Sequence, residues 1–329
     1  MNFLKRLLKW MLILIVLLTA LYFVGPNPST PTYTTTLPVV PADAAALENY
    51  ILQNEAQRKV KPENEARIIW QNDSLKQKTE YAIVYLHGFS ASQEEGDPVH
   101  TAVAKKFGCN LYLARLAEHG IDTSDAMQHL TAENYWESVK QAYAIGKQLG
   151  NKVIVMGTST GGSNALQLAA NYPEIASIIL LSPNIAINDP NAWLANNPWG
   201  LQIARMVMGG KENILKNRTD TYKKYWNHQY RLEAVVELQE LLETTMIPSH
   251  FNKIKCPLLT LYYFKDEKNQ DPVVKVSAMK EMFEAVATPA NLKRMVPIPE
   301  AGNHVMASPI QSNDIVSVEK ETALFLEQI

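Results

Sequence analysis

Residues 152–171 read KVIVMGTSTGGSNALQLAAN, and the order of residue types in this stretch decides how the rest of the chain is read. The apolar, β-branched run from Val153 to Met156 describes a short buried strand. Gly157 breaks it, Ser159 follows, Gly161 and Gly162 come next, and residues 164–170 resume as a helix former. Strand, tight turn, helix is the predicted unit. Gly157, Ser159 and Gly161 make the pattern G-x-S-x-G, whose spacing has a steric reason. A serine that is to project its hydroxyl clear of a sheet must stand on a sharp turn with unfavourable backbone angles. Side chains two residues before and after it would strike the neighbouring strand and helix. The helix that follows aims its N-terminus at the serine, which leaves the Thr160 amide free to stabilise charge developing on a reacting oxygen. The same pattern also occurs in glycine-rich corners without chemistry; the flanking strand and helix, and two further elements in the right order, favour a nucleophile.

The chain has 329 residues, 47% hydrophobic and 19% charged, enough for one large domain or two modest ones with a sizeable core. A net charge of -2 with dispersed basic residues gives no nucleic-acid surface, and no G-x-x-x-x-G-K phosphate loop is present. The two cysteines, Cys109 and Cys256, lack metal-type spacing and read as small buried apolar side chains rather than as a disulfide framework.

At the N-terminus, Lys5, Arg6 and Lys9 precede a stretch from Trp10 to Val24 that carries no charge, and Gly25, Pro26 and Pro28 stop it. With Leu7 and Leu8 the run approaches the lower length limit for a bilayer-spanning helix. Having no polar face, it is not a core helix. Bulky Leu21, Tyr22, Phe23 and Val24 stand where a signal peptidase needs small residues. Residues 1–24 are therefore expected to be a single-pass membrane anchor, the cationic end cytoplasmic and the rest periplasmic or extracellular, with a cleaved signal and a secreted protein as the alternative. Residues 25–42 form a Pro/Thr-rich linker, expected to be a semi-extended spacer that packs no core.

Residues 43–59 have a helical pattern with Asp43 as N-cap, and residues 66–70 and 80–86 read as strands. The second strand runs into His87-Gly88-Phe89. An H-G-F after a buried strand and ahead of a G-x-S-x-G turn resembles the oxyanion loop of the α/β-hydrolase superfamily. The resemblance implies that Gly88 lets the backbone approach a reacting carbonyl, that Phe89 donates its amide alongside Thr160, and that His87 braces the loop and is not the catalytic base. In the loop 90–100, Glu94, Glu95 and Asp97 read as solvated carboxylates. Residues 115–120, RLAEHG, resemble the R-L-x-G-H-G segment of monoacylglycerol lipases and related carboxylesterases, with Glu118 replacing the family glycine. Together the two motifs point to the serine carboxylesterase and monoacylglycerol lipase-like branch.

Strands predicted at 110–114 and 176–181 alternate with helices at 99–107 and from Thr131 onward, which gives an α/β, mostly parallel, doubly wound sheet. Residues 184–255 are too long a connection for a plain loop and read as a helical cap inserted before the acid-bearing strand, within a hydrolase domain spanning 43–329. The cap's Trp193, Trp199, Tyr222, Trp226 and Tyr230 serve as a small core, and some of them as the lining of an apolar substrate pocket.

Serine hydrolases of this fold place an acid and then a histidine after the serine. His304, in Ala301-Gly302-Asn303-His304, is the candidate base: among seven histidines it alone follows a late strand with a glycine two residues before it. For the acid, Asp266 lies where the preceding strand should finish, whereas Asp271 sits in Asp271-Pro272-Val273-Val274, resembling the family's D-x-V-V. An insertion of residues 265–269 reconciles the two counts, and Asp271 is preferred. The implied activity is cleavage of carboxylic esters, medium-chain or lipid-like and of monoacylglycerol type, through an acyl-enzyme on Ser159. The alternatives are a membrane-anchored peptidase or amidase of the same fold and a non-catalytic ligand-binding homologue. No metal or organic cofactor and no nucleic acid is expected; the partners are a small-molecule ester and the membrane, and the oligomeric state is open.

Overall fold

The short apolar runs of the sequence become strands of one sheet. The computed structural model describes residues 2–329, so that of the expected anchor only Met1 lies outside the described residues. In chain order the strands are β1 (Arg67–Ile69), β2 (Thr79–Leu86), β3 (Asn110–Leu113), β4 (Gly150–Thr158), β5 (Ser177–Leu181), β6 (Glu212–Ile214), β7 (Gln229–Arg231), β8 (Leu258–Tyr262) and β9 (Lys293–Pro297). Seven of them form the central sheet in the order β1-β3-β2-β4-β5-β8-β9, while β6 and β7 make a separate ribbon. All neighbours in the central sheet are parallel except the edge pair β1 and β3.

The strands are apolar along their length because both faces of the sheet are covered, as parallel sheets require. Successive residues go to opposite sides. Ala82, Val84 and Leu86 of β2, with Val153 and Val155 of β4, pack under the helix Ala132–Leu149 and its neighbours. Ile83 and Tyr85, with Ile154 and Met156, pack on the other face with Val103, Val318 and Phe325 from the helices Val99–Lys106 and Ile315–Leu326. Local signals set the helix starts: Asp43 Oδ1 accepts the Ala46 amide at 2.9 Å, as expected of an N-cap, and Thr131 and Asn134 form a reciprocal capping box.

Topology then locates the site. From β2 the chain passes to β3 on one side and returns to β4 on the other, so the strand order reverses between β2 and β4. In open α/β sheets the crevice outside the carboxyl ends of strands at such a reversal is the binding position. His87-Gly88-Phe89 leaves β2 there, and Ser159 leaves β4 beside it. Residues 115–120 support the first loop from behind: the His119 ring lies 4.9 Å from His87, and Glu118 takes a φ of 62° where the resemblance places glycine. Between β5 and β8 the cap comprises the helices Gly200–Met208, Asp220–Tyr225 and Leu232–Thr245, the ribbon of β6 and β7, and short turns.

Residues 25–42 correct one expectation. Expected to pack no core, they contribute Val40 to the main hydrophobic core, with Tyr33 and Leu37 packed against it. With no ladder partners their carbonyls are available to donors, and the domain supplies these. Trp136 Nε1 donates to the Thr34 carbonyl at 2.7 Å, Tyr172 hydroxyl to the Thr35 carbonyl at 2.8 Å, and the buried Lys140 ammonium to Thr34 Oγ1 at 2.6 Å and the Thr36 carbonyl at 3.0 Å. Val40 is buried. The helix Asn2–Phe23 is exposed along its apolar length, and by length and composition it is able to cross a membrane. Its far end meets the cap, where Trp199 Nε1 donates to the Leu21 carbonyl at 2.9 Å and the Tyr22 hydroxyl to Asn197 Oδ1 at 3.1 Å.

A chain cut to residues 43–329 strips Trp136, Tyr172 and Lys140 of these partners. It is expected to be less stable than residues 29–329 by about 3–5 kcal/mol, at about 1 kcal/mol per hydrogen bond with an added cost for the buried ammonium. Urea denaturation of the two fragments measures the difference, and coincident midpoints would mean that the segment only rests on the surface.

Candidate active site

Ser159 joins β4 to the helix Thr160–Asn171 with φ 54° and ψ -120°, a backbone conformation that costs on the order of 1–3 kcal/mol. The surroundings hold it there. Its amide donates to the Leu181 carbonyl at 2.9 Å, and its carbonyl accepts from the amides of Gly162 at 2.9 Å and Asn184 at 2.9 Å. The glycines are sterically required: a Cβ on Gly157 would strike the Gly161 carbonyl, and one on Gly161 would strike the Leu86 carbonyl at the end of β2. The turn therefore brings Ser159 against the loop that leaves β2. Thr160 is the first helical residue, so its amide has no intrahelical acceptor and faces the same region as the serine.

His304 lies on the loop after β9, which turns through Gly302 at φ 67°. Its Nδ1 donates to Asp271 Oδ2 at 2.7 Å, and both side chains are buried. The second oxygen, Asp271 Oδ1, accepts the amides of Val273 at 2.9 Å and Val274 at 3.1 Å. Burial works to raise the Asp271 pKa, but the His304 charge, the bond to it and these two amides together hold the carboxyl below its ordinary value. Burial works to lower the His304 pKa, and the Asp271 charge and hydrogen bond, joined by the Glu95 charge, outweigh it, so the imidazole is raised above its ordinary value. With Asp271 ionised, the neutral ring carries its proton on Nδ1 and presents the Nε2 lone pair. Such a ring is a base with a fixed orientation.

Asp266 does something else. It is exposed, and its carboxylate accepts from Asn269 Nδ2 at 3.0 and 2.9 Å and from the Lys268 and Asn269 amides, each at 2.9 Å. Residues 264–270 close as a tight turn bridged at Phe264 and Gln270, so the strand's downstream acid is delivered five residues later in sequence, at Asp271.

Phe89, Ser159, Thr160 and His304 line one cavity of about 420 Å³, closed over by Tyr222, Trp226 and Tyr230 of the cap. The Phe89 ring packs edge-on against Tyr230 at 5.3 Å, and Tyr222 stacks on Trp226 at 5.0 Å. These aromatics serve as cap core and cavity wall at once. His87 points away from the cavity into the interior: Nδ1 donates to the Gly88 carbonyl at 2.9 Å and Nε2 accepts the Leu116 amide at 3.1 Å. Burial pushes its pKa down to about 4, so it stays neutral.

Glu95 overturns the expectation of a solvated loop. It is 3% exposed, lines the same cavity, and accepts the Gly88 amide at 2.6 Å. Burial pushes its pKa up to about 7. A three-acid loop without periodicity gives no inward signal, although Ser92 caps the short turn Gln93–Gly96 through the Glu94 amide. Among the described residues no group of three or more His, Cys, Asp or Glu side chains is arranged to hold a metal ion. Cys109 and Cys256 are free thiols.

Known proteins resemble this chain in sequence or in fold. A thermostable monoacylglycerol lipase from Bacillus sp. (strain H-257) is 28% identical over 190 residues, covering 58% of this chain and 71% of the lipase. Among solved structures, one from a study of the metagenome-derived lipolytic enzymes LipS and LipT superposes with a TM-score of 0.65 at 18% identity, over 82% of this chain and 100% of that one. The Paleococcus ferrophilus monoacylglycerol lipase superposes with a TM-score of 0.57 at 14% identity, over 80% of this chain and 98% of that one. At such identities the structural likeness speaks to the fold. Residues 83–314, from the middle of β2 to past His304, match the alpha/beta hydrolase family as a whole, and the chain belongs to that family.

Proposed function

We propose that the chain is a serine hydrolase of carboxylic esters, with Ser159 as nucleophile, His304 as base, Asp271 as its acid, and the amides of Phe89 and Thr160 as the oxyanion hole. The observation that carries this reading is the buried 2.7 Å bond from His304 Nδ1 to Asp271, made at the wall of the cavity that Ser159 enters on a positive-φ turn. In the first half-reaction His304 Nε2 takes the Ser159 proton as Oγ bonds to the ester carbon. The carbonyl oxygen becomes an oxyanion held by the two amides, and collapse expels the alcohol, protonated by His304. In the second, His304 deprotonates water, which attacks the acyl-enzyme, and the acid leaves as Ser159 regains its proton. Asp271 stays ionised throughout and stabilises the imidazolium of each step.

For substrate, the reading is a lipid-like or medium-chain ester of monoacylglycerol type. The related Bacillus lipase carries that activity in its name, and the cavity wall of Phe89, Tyr222, Trp226 and Tyr230 suits an acyl chain. Residues 1–24 are read as a membrane anchor with Lys5, Arg6 and Lys9 on the cytoplasmic side. The cap adds support, since Met206 and Val207 are 76% and 77% exposed on the helix that begins beside the anchor's exit at Trp199.

Ser159→Ala is expected to lower kcat on p-nitrophenyl butyrate by at least about 10⁴-fold with the fold intact, and to abolish labelling by a fluorophosphonate probe. Retained turnover refutes the nucleophile; hydrolysis of aminoacyl p-nitroanilides in preference to esters would favour a peptidase, and no labelling of the wild type a non-catalytic binder. Because Asp271 raises His304, activity should be lost as pH falls through a value above the ordinary histidine pKa of about 6.5. Asp271→Asn removes the carboxylate that raises it, so the acid limb of kcat/KM should move to lower pH while kcat drops by about 10³–10⁴; an unmoved limb would assign the acid elsewhere. For the anchor, the mature protein should fractionate with membranes and retain residues 1–24 by mass spectrometry, and a chain beginning after residue 24 would make it secreted.

A further inference from the structure

Glu95 has no task in the hydrolytic scheme, although it is buried in the active-site wall within the short turn Gln93–Gly96. Its neighbours show what it holds. Oε2 accepts the Gly88 amide at 2.6 Å, and that amide belongs to the peptide joining His87 to Gly88. The next peptide, joining Gly88 to Phe89, is held by its carbonyl, which accepts from His87 Nδ1 at 2.9 Å and from the Ala91 amide at 3.3 Å. A trans peptide carries its C=O and N–H on opposite sides. Fixing the Gly88 carbonyl on the side of His87 therefore turns the Phe89 N–H the other way. Two consecutive peptides are pinned by two buried side chains, one from each direction.

The loop has no slack toward the serine. A Cβ built on Gly88 would lie 2.9 Å from Glu95 Oε2 and 2.9 Å from Ser159 Cβ, so there is no room for a side chain where Gly88 faces the carboxyl and the elbow. We propose that Glu95 is a positioning residue of the oxyanion loop: its buried carboxyl holds the Gly88 amide and thereby aims the Phe89 amide at the oxygen that develops charge above Ser159. The inference rests on the assignment of Ser159 as nucleophile and of Phe89 and Thr160 as donors. It does not depend on the charge of Glu95, because a carboxylate oxygen and the carbonyl oxygen of a neutral carboxyl both accept an N–H. Burial keeps the neutral form accessible near pH 7, opposed by the Gly88 amide, the charge of His304 and the Trp226 indole; Tyr85, Tyr135 and Tyr222 sense the carboxyl in turn. A neutral acid suits this place, since a full negative charge would oppose the oxyanion it helps to prepare.

The experiment compares Glu95→Ala and Glu95→Gln with wild type on p-nitrophenyl butyrate and in the binding of a trifluoromethyl ketone, whose hemiketal oxyanion occupies the hole. Glu95→Ala should lose about 10- to 100-fold in kcat with KM nearly unchanged, less than the roughly 10²–10³ lost when an oxyanion donor is deleted outright. Ketone affinity should fall in step with kcat/KM. Glu95→Gln, whose amide oxygen accepts the same N–H, should recover kcat to within about threefold of wild type. Unchanged kcat in Glu95→Ala, an equal loss in Glu95→Gln, or a loss confined to KM each overturns the proposal. If the alanine variant does not fold, Glu95→Asp replaces it: one methylene short of Gly88, it should lose kcat where Glu95→Gln does not, and equal rates for the two overturn the proposal. An active wild type with inactive Ser159→Ala and fully active Glu95→Ala removes only this inference, whereas an active Ser159→Ala removes the reading beneath it.

Discussion

The structure depends on one strained residue held in place by tight steric fit. Ser159 stands at φ 54° because β4 must end and a helix must begin within a single residue of it, with Gly157, Gly161 and the end of β2 packed too closely for any side chain. Such strain persists only where the surroundings over-determine it. Here the ladder to β5 holds the amide, the first helical turn holds the carbonyl, and the backbone of the β2 loop lies against Gly161. The parallel sheet does the rest by topology. Strands that run the same way deliver their outgoing loops to one edge, so the turns after β2, β4, β8 and β9 meet although their residues are far apart in the chain.

At that edge three ionisable groups share a water-poor space, and burial alone would neutralise all of them. Pairing separates their behaviour. Asp271 is held ionised by two backbone amides and the imidazole, His304 is raised by Asp271, and Glu95, whose strongest partner is a single backbone amide, moves toward the neutral form. Two carboxyls near one histidine are thus pushed in opposite directions, Asp271 down chiefly by the His304 charge and the bond to it, Glu95 up by burial. His87, buried and neutral with both ring nitrogens bonded, belongs to the framework of the loop.

Some of this was legible from residue order and some was not. Asp43, the box of Thr131 and Asn134, and the glycines around Ser159 act within a few residues of themselves, so their roles could be read locally. The choice between Asp266 and Asp271 turned on whether residues 264–270 close on themselves, which depends on the Asp266 bonds to Asn269 and its neighbours. Glu95 is not legible as an inward side chain, because nothing in Gln-Glu-Glu-Gly says which carboxylate turns inward. Its burial goes with the Gly88 amide, a buried donor seven residues back in the chain that needs an acceptor. The packing of residues 25–42 is not legible for a related reason: an extended segment can supply carbonyls to another element's donors, and Trp136, Lys140 and Tyr172 are such donors.

By itself the sequence determined the elements, the α/β class and the turn on which Ser159 stands, because apolar periodicity, glycine placement and helix caps act over distances shorter than one turn or strand. Only the tertiary structure decided which acid meets His304, that Glu95 and the linker are part of the folded body, and where the cap places its aromatics over the serine. Those outcomes depend on which buried donor finds which acceptor across long separations in the chain. That pairing is set by packing and the cost of an unsatisfied polar group, not by any local run of residues.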